Sequence, residues 1–296
     1  MRKVWLLTLI ICSSVLLLSI SYILSPSPPS SRVAPSQGLT IRYELHTSPQ
    51  SVVHTLLIPA QGQFSVTPAL SSELDTLKSL AQKHHAFAAL NGGFFDPVNH
   101  KSTSYVIRQS RLVADPRLNK RLMNNPALAG YLNQILNRTE FRRYFCGQTV
   151  RYDIVLHSEA TPADCRLTDV LGGGPRLLPE MTPVQEGFLT VVQGRAVRDA
   201  LGSKQPNARS AVGITRDGSI VWVMVAQKSE APTSSGMSLL ELAKFMKELS
   251  VEKAMNLDGG SSSSLYYKGK TIYGKLNAAG NSSRRAVKSV LLLQKK

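Results

Sequence analysis

Ala254-Met255-Asn256-Leu257-Asp258-Gly259-Gly260-Ser261-Ser262-Ser263-Ser264-Leu265 passes from an apolar run through one carboxylate into two glycines and four serines. An Asp followed by Gly-Gly at a strand end puts a charge where backbone can approach a ligand closely. The serines add hydroxyl and amide donors around it. Taken alone, the segment also reads as a polar turn between two strands. Two other segments are built alike, Asn91-Gly92-Gly93-Phe94-Phe95-Asp96 and Gly172-Gly173-Gly174-Pro175, each just after an apolar run. Three such loops in one chain point to one shared, backbone-lined site.

Working outward, Ala254–Leu257 reads as the strand that carries Asp258, and Ser238–Leu249 before it as an amphipathic helix. Leu265–Lys268, Lys270–Tyr273 and Val287–Leu293 read as strands after it. Upstream, Ala211–Ile214 and Ile220–Ala226 flank Asp217-Gly218, a strong hairpin signal. Asp169–Leu171 leads into the triple glycine and Pro175–Leu178 leaves it. His85–Leu90 reads as a buried strand delivering Asn91, and Tyr105–Val113 as a hairpin. Ser71–Lys83 has helical spacing, with Ser71 or Ser72 as N-cap. Leu39–Leu45 and Ser51–Pro59 suggest a further hairpin. Leu128, Tyr131, Leu132, Ile135 and Leu136 give Asp115–Phe145 a helical period, so a helical insertion is expected there, with 115–165 as its bounds. Its basic cluster Arg138, Arg142 and Arg143 fits a solvated helix face or a lip for an anionic substrate. The expected class is α+β, a mixed strand-rich sheet core with flanking helices.

The N-terminus has a different composition. Arg2 and Lys3 precede Val4–Leu24, an uncharged run of about 30 Å as a helix. With no good cleavage site after it, residues 1–24 read as an uncleaved signal anchor, Arg2 and Lys3 staying in the cytoplasm. A cleaved signal and a secreted body are the alternative. Residues 25–38, Pro- and Ser-rich, read as an extended linker, and residues 39–296 as the folded body. Export makes a Cys146–Cys165 disulfide the expectation, worth about 3 kcal/mol in the chain-entropy view. The formal charge of +16 favours anionic partners such as an acidic glycan. The basic residues are scattered, without a Lys/Arg block interleaved with aromatics, which argues against nucleic acid.

Several chemistries are missing from the sequence. No G-x-S-x-G marks a nucleophile elbow, Gly269-Lys270-Thr271 lacks the first glycine of a P-loop, and the six histidines form no H-x-x-x-H pair. Asp96 and Asp258 remain as carboxylates suited to glycosyl or phosphoryl chemistry. Arg209, ahead of an apolar strand, has a planar fork suited to phosphate, and the triple glycine offers amides for oxyanions. Asp96 also fits an Asx turn, and Arg209 a surface ion pair. No cofactor is required. Asp96, Asp258 and neighbouring carbonyls could hold a divalent Ca or Mg ion, although no spacing demands one.

The order Asn91–Asp96, Gly172–Pro175, Arg209-Ser210-Ala211-Val212-Gly213-Ile214, Gly236-Met237-Ser238 opening a helix, then Asn256–Ser262 resembles the phosphodiester glycosidase family. The likeness runs from about Phe87 to Leu293. It includes Arg285-Ala286-Val287 where that family has Arg-Pro-Val. The resemblance implies hydrolysis of the bond between a sugar C1 and a phosphodiester. It implies Asp258 and Asp96 as catalytic residues, Asn91 and Asn256 orienting substrate, and Arg209 and Arg285 holding the phosphate. Gly92, Gly93, Gly173, Gly174, Gly259, Gly260, Ser261 and Ser262 would line the substrate. Ser261 departs from a family glycine, and the stretch Asp115–Cys165 is long for the family core. A non-catalytic glycan- or wall-binding module and a phosphodiesterase breaking P–O are the alternatives.

Overall fold

The computed structural model describes residues 40–296. The anchor and linker read from residues 1–38 therefore lie outside the described residues. Among the described residues no helix is long and apolar enough to cross a membrane.

The body opens with a hairpin, β1 (Arg42–Thr47) and β2 (Val52–Ile58), then β3 (Phe64–Asp75), α1 (Leu77–Lys83) and β4 (Ala88–Asn91). A second hairpin, β5 (Val106–Arg108) and β6 (Arg111–Ala114), leads into short helical turns, among them α2 (Lys120–Met123) and α3 (Leu132–Leu136). Next come β7 (Thr139–Cys146), β8 (Thr149–Leu156), β9 (Cys165–Gly172), β10 (Arg176–Leu178), and the ribbon β11 (Leu189–Val192) and β12 (Arg195–Asp199). The chain continues with β13 (Arg209–Thr215), β14 (Ile220–Ala226), α4 (Leu239–Glu248) and β15 (Val251–Asn256). It closes with β16 (Ser264–Tyr267), β17 (Lys270–Tyr273) and β18 (Val287–Lys295).

Three sheets carry the fold, in orders β1-β2-β14-β13-β15-β10, β17-β16-β4-β18-β3 and β6-β5-β9-β7-β8. Strand β14 shows why they stack. All seven of its residues are buried, as expected of a central strand covered on both faces. Val221, Val223 and Val225 pack under Leu239, Leu242, Ala243 and Met246 of α4. Trp222 and Met224 point the other way, into a core shared with Leu90, Leu265 and Leu291 of the second sheet and Phe141, Ile154 and Leu171 of the third. Leu77, Leu80 and Ala81 of α1 cover the outer face of the second sheet. A capping box fixes the start of α4: the Ser238 hydroxyl accepts from the Glu241 amide, and the Glu241 carboxylate accepts from the Ser238 amide.

The strand-rich core with flanking helices agrees with the sequence reading, but the sheets are not mixed. Every pairing among the described strands is antiparallel. The β14–α4–β15 crossover looks like a parallel unit in sequence, yet β13 lies between its two strands. The N-cap of α1 is Thr76 rather than Ser71 or Ser72, because β3 runs on past a bulge to Asp75, which pairs with Val287 of β18. The helical insertion ends at Leu136; most of 139–165 is sheet. Arg142 is therefore not on a solvated helix face. It is 3% exposed, paired with Glu140 at 2.8 Å and donating to the carbonyls of Leu156, His157 and Glu159. Arg143 pairs with Asp169 at 2.9 Å. The expected Cys146–Cys165 disulfide joins β7 to β9.

Candidate active site

Strands β4, β9 and β15, one from each sheet, end at the same place, and each delivers one of the three glycine loops. Backbone contacts weld the loops together. The Asp258 amide donates to Gly92 O at 3.0 Å and the Gly174 amide to Asn256 O at 2.8 Å. A Cβ on Gly93 would stand 2.1 Å from Gly172 O, so only glycine fits there. Gly174 combines φ +99° with the same restriction: its Cβ would meet the Glu186 carboxylate at 2.2 Å.

This welding uses up most of the donors that the sequence offered to a ligand. The amides of Gly172, Gly173 and Gly174 donate to Tyr105, Thr139 and Asn256 carbonyls. Those of Gly92 and Gly260 donate to Ser289 O and Ala208 O, and that of Gly93 to the Ser289 hydroxyl. The triple glycine is thus a packing device, not an oxyanion cradle. Asn91 and Asn256, 0% and 1% exposed, are likewise engaged within the protein. Asn91 Nδ2 donates to Asp258 O at 2.7 Å, while its Oδ1 accepts from the Ser210 hydroxyl and the Ser264 amide. Asn256 Nδ2 spans Gly174 O and Leu257 O, and its Oδ1 is buried without a donor. Both asparagines fix the turn that presents Asp258.

Arg209 is a plain correction. It is 2% exposed, and its guanidinium donates to the carbonyls of Met237, Leu201, Gly202 and Gln205 at 2.8–3.0 Å. No fork is left for a phosphate. Burial pushes its pKa down to about 10, against the pull of Asp199.

Asp258, Ser261, Ser262 and Arg285 remain as the open chemistry. Asp258 is half-buried, and burial raises its carboxyl to about 6; the Ser262 hydroxyl, the Arg285 charge and the Gly259 amide pull the other way. An acid with a pKa near neutrality is suited to proton transfer or nucleophilic work at physiological pH. Arg285 donates to the Ser261 hydroxyl at 3.2 Å, and its guanidinium lies over the Phe95 ring at 5.0 Å. It keeps donors for an anion beside Asp258.

Asp96 sits in a separate network. Its Oδ1 accepts from the amides of Val98 and Asn99, an Asx turn, and Oδ2 meets Arg121 Nε at 3.1 Å. Burial pushes Asp96 up, but those two amides and Arg121 together hold it below the ordinary carboxylate value. Among the described residues no group of three or more His, Cys, Asp or Glu side chains gathers for a metal. A groove of about 550 Å³ lined by Ile41, Phe64, Phe87 and Tyr267 lies at the opposite ends of β4 and β16 and holds no carboxylate.

The sequence reading passed over Glu186 and the role of the aromatic pair. Glu186 is fully buried under the triple glycine. It accepts from the Thr139 amide and hydroxyl, the Arg176 amide and the Thr182 hydroxyl. Phe94 and Phe95 offered a signal: two adjacent aromatics in a polar loop, each carrying a guanidinium in the structure.

Comparison with solved structures places this architecture among known folds. The catalytic domain of zebrafish N-acetylglucosamine-1-phosphodiester alpha-N-acetylglucosaminidase, auto-inhibited by its pro-peptide, superposes with TM-score 0.61 at 19% identity, covering 87% of this chain and 83% of that one. A hypothetical protein from Synechocystis gives 0.55 at 17% identity, over 86% of this chain and 61% of that one. A protein from Burkholderia pseudomallei gives 0.61 at 16%, over 82% and 74%. At these identities the likeness is one of fold. No match was found among curated proteins. The phosphodiester glycosidase family matches residues 84–294, which takes in all three glycine loops, Asp258 and Arg285, and the chain belongs to that family.

Proposed function

We propose that the chain hydrolyses the sugar C1–O bond of a sugar-1-phosphodiester in an envelope or extracellular glycan, with Asp258 as the catalytic carboxylate. The observation that carries the reading is the pairing of Asp258, raised to about 6 by burial, with an Arg285 fork that has donors to spare. Phosphate is already a good leaving group, so the bond needs charge neutralisation at the departing oxygens and a carboxylate at C1 more than a strong acid. Arg285 serves the first need and Asp258 the second, as nucleophile or as base toward water. Water oxygen ends on the sugar, and the bridging oxygen leaves with the phosphomonoester. Ser262 and the Gly259 amide orient the carboxylate; Asn91 and Asn256 hold the turn beneath it. The Cys146–Cys165 bond supports a body outside the cytoplasm. A membrane tether through residues 1–24 belongs to the same proposal.

The test is hydrolysis of a set of sugar-1-phosphodiesters in ¹⁸O-labelled water by wild type and Asp258→Asn. Label in the sugar, with a loss of about 10³-fold or more in the folded variant, is the expected result. Label in the phosphate would replace this reading with P–O cleavage. Glycan binding without turnover would replace it with a binding module.

A further inference from the structure

Arg138 is the residue of the basic cluster whose terminal guanidinium nitrogens neither the fold nor the proposed reaction uses. It stands just before β7, and the carbonyl of its neighbour Thr139 accepts from the Gly173 amide, which ties it to the triple glycine. Its guanidinium stacks on the Phe188 ring at 3.7 Å and faces Phe94 at 5.9 Å. The Phe188 ring in turn packs 3.2 Å from where a Gly174 Cβ would be. Nε donates to Glu186 O at 3.2 Å. No acceptor among the described residues takes a hydrogen bond from Nη1 or Nη2, and no carboxylate lies within ion-pair distance. A structural role as counter-ion to Glu186 leaves this fork unexplained, because the Glu186 carboxylate already has four donors.

The surroundings are cationic. Arg198 donates to Gly187 O at 3.1 Å and lies over the Tyr131 ring at 4.7 Å. Burial lowers the Arg138 pKa to about 9; Glu186 opposes that shift and the Arg198 charge adds to it. The two guanidiniums are held by carbonyls and ring faces, and the anion acting on Arg138, Glu186, has its carboxylate already taken by four other donors. Arg138 faces Phe94 and Arg285 lies over Phe95, so both guanidiniums sit on the Asn91–Asp96 loop.

We propose that Arg138, backed by Arg198 on the Phe94/Phe188 platform, is a second anion subsite that selects substrates carrying a further phosphate on the aglycone. This rests on the proposed phosphodiester hydrolysis for its substrate, but the subsite can be tested without it. The kinetic arm compares two sugar-1-phosphodiesters, one with methanol as aglycone and one with glycerol 3-phosphate, in wild type, Arg138→Met and Arg138→Lys. Wild type is expected to favour the glycerol-phosphate substrate by about 10-fold or more in kcat/KM, the order of one charge-assisted contact. Arg138→Met should erase that ratio and Arg138→Lys restore part of it. Equal losses on both substrates, or no wild-type preference, would overturn the subsite.

The binding arm is calorimetric titration of the same proteins with inorganic pyrophosphate. Binding at least 10-fold weaker in Arg138→Met than in wild type supports the subsite, and unchanged binding overturns it. If wild type turns over neither diester, the hydrolase reading fails, and the pyrophosphate titration still decides the subsite. Thermal melting of each variant separates misfolding from lost binding, and Arg138→Lys carries both arms should Arg138→Met not fold.

Discussion

Arg209 and Arg285 look alike in the sequence: each precedes a strand and stands close to a glycine loop. In the structure they are opposites. Arg209 is closed on all sides by four carbonyls, from Leu201, Gly202, Gln205 and Met237. Arg285 has one hydroxyl partner and a ring face. What distinguishes a structural arginine from a binding one is the number of donors left after the backbone has been satisfied. The backbone near Arg209 uses them, because the Leu201 and Gln205 carbonyls take no other hydrogen bond among the described residues, and Gly202 O and Met237 O each have one amide besides.

Substituting both arginines would break this contrast if it is wrong. Arg209→Met should leave the Leu201 and Gln205 carbonyls without their donor, while Gly202 O and Met237 O keep the Gln205 and Asn207 amides. At about 1–3 kcal/mol each, and not strictly additive, the loss of stability should be about 2–4 kcal/mol. Arg285→Met should change stability by less than about 1 kcal/mol and lower kcat/KM about 10²-fold. Denaturant melts and kinetics on one phosphodiester read both. A folded, stable Arg209→Met protein with selectively weakened substrate binding would reverse the assignments.

The two carboxylates repeat the contrast. Asp258 has a folded-state pKa raised from the usual carboxylate range to about 6, so the folded state holds its proton more tightly than the unfolded chain. The contribution to stability is fully present below about pH 4 and is lost as pH rises through about 6. Asp258→Asn should therefore stabilise the protein at pH 7 relative to wild type, by up to about 2–3 kcal/mol, with the gap closing toward pH 4. Melting curves across that range test it. A gap independent of pH would mean that Asp258 is ionised in the fold at no cost.

Much of the architecture could be read directly. Ile220–Ala226 is apolar throughout because both its faces are covered, and Ser238 with Glu241 announces a helix start. The convergence of three glycine loops was legible because glycine is what close backbone approach requires. Other features depended on remote partners. Strand β7 reads as a polar helix because Glu140 and Arg142 look like surface residues; they are buried only because each satisfies the other and the arginine reaches the 156–159 turn. The 71–75 segment looks like a helix cap until β18, two hundred residues away, pairs with Leu70 and Asp75 on either side of a bulge. The destinations of the glycine amides and of Arg209 are likewise set by carbonyls distant in sequence, which no local pattern encodes.

Asp96 yields the smallest expected effect and the sharpest check on which carboxylate does chemistry. Both its oxygens are engaged, one by the Val98 and Asn99 amides and the other by Arg121. Asparagine can keep the Asx turn through its Oδ1 and loses only the ion pair, whose arginine side chain is 55% exposed, so the cost should fall below about 1 kcal/mol. With the turn intact, the Phe94–Phe95 platform stays in place, and kcat should remain within about 3-fold of wild type, less than half the free energy of a tenfold effect. Asp96→Ala removes the turn acceptor as well and should cost about 1–2 kcal/mol more in stability. If Asp96→Asn instead lowers kcat by the 10²–10⁴-fold expected of a proton-transferring group, two carboxylates work at C1, and the network that holds Asp96 must open when substrate binds.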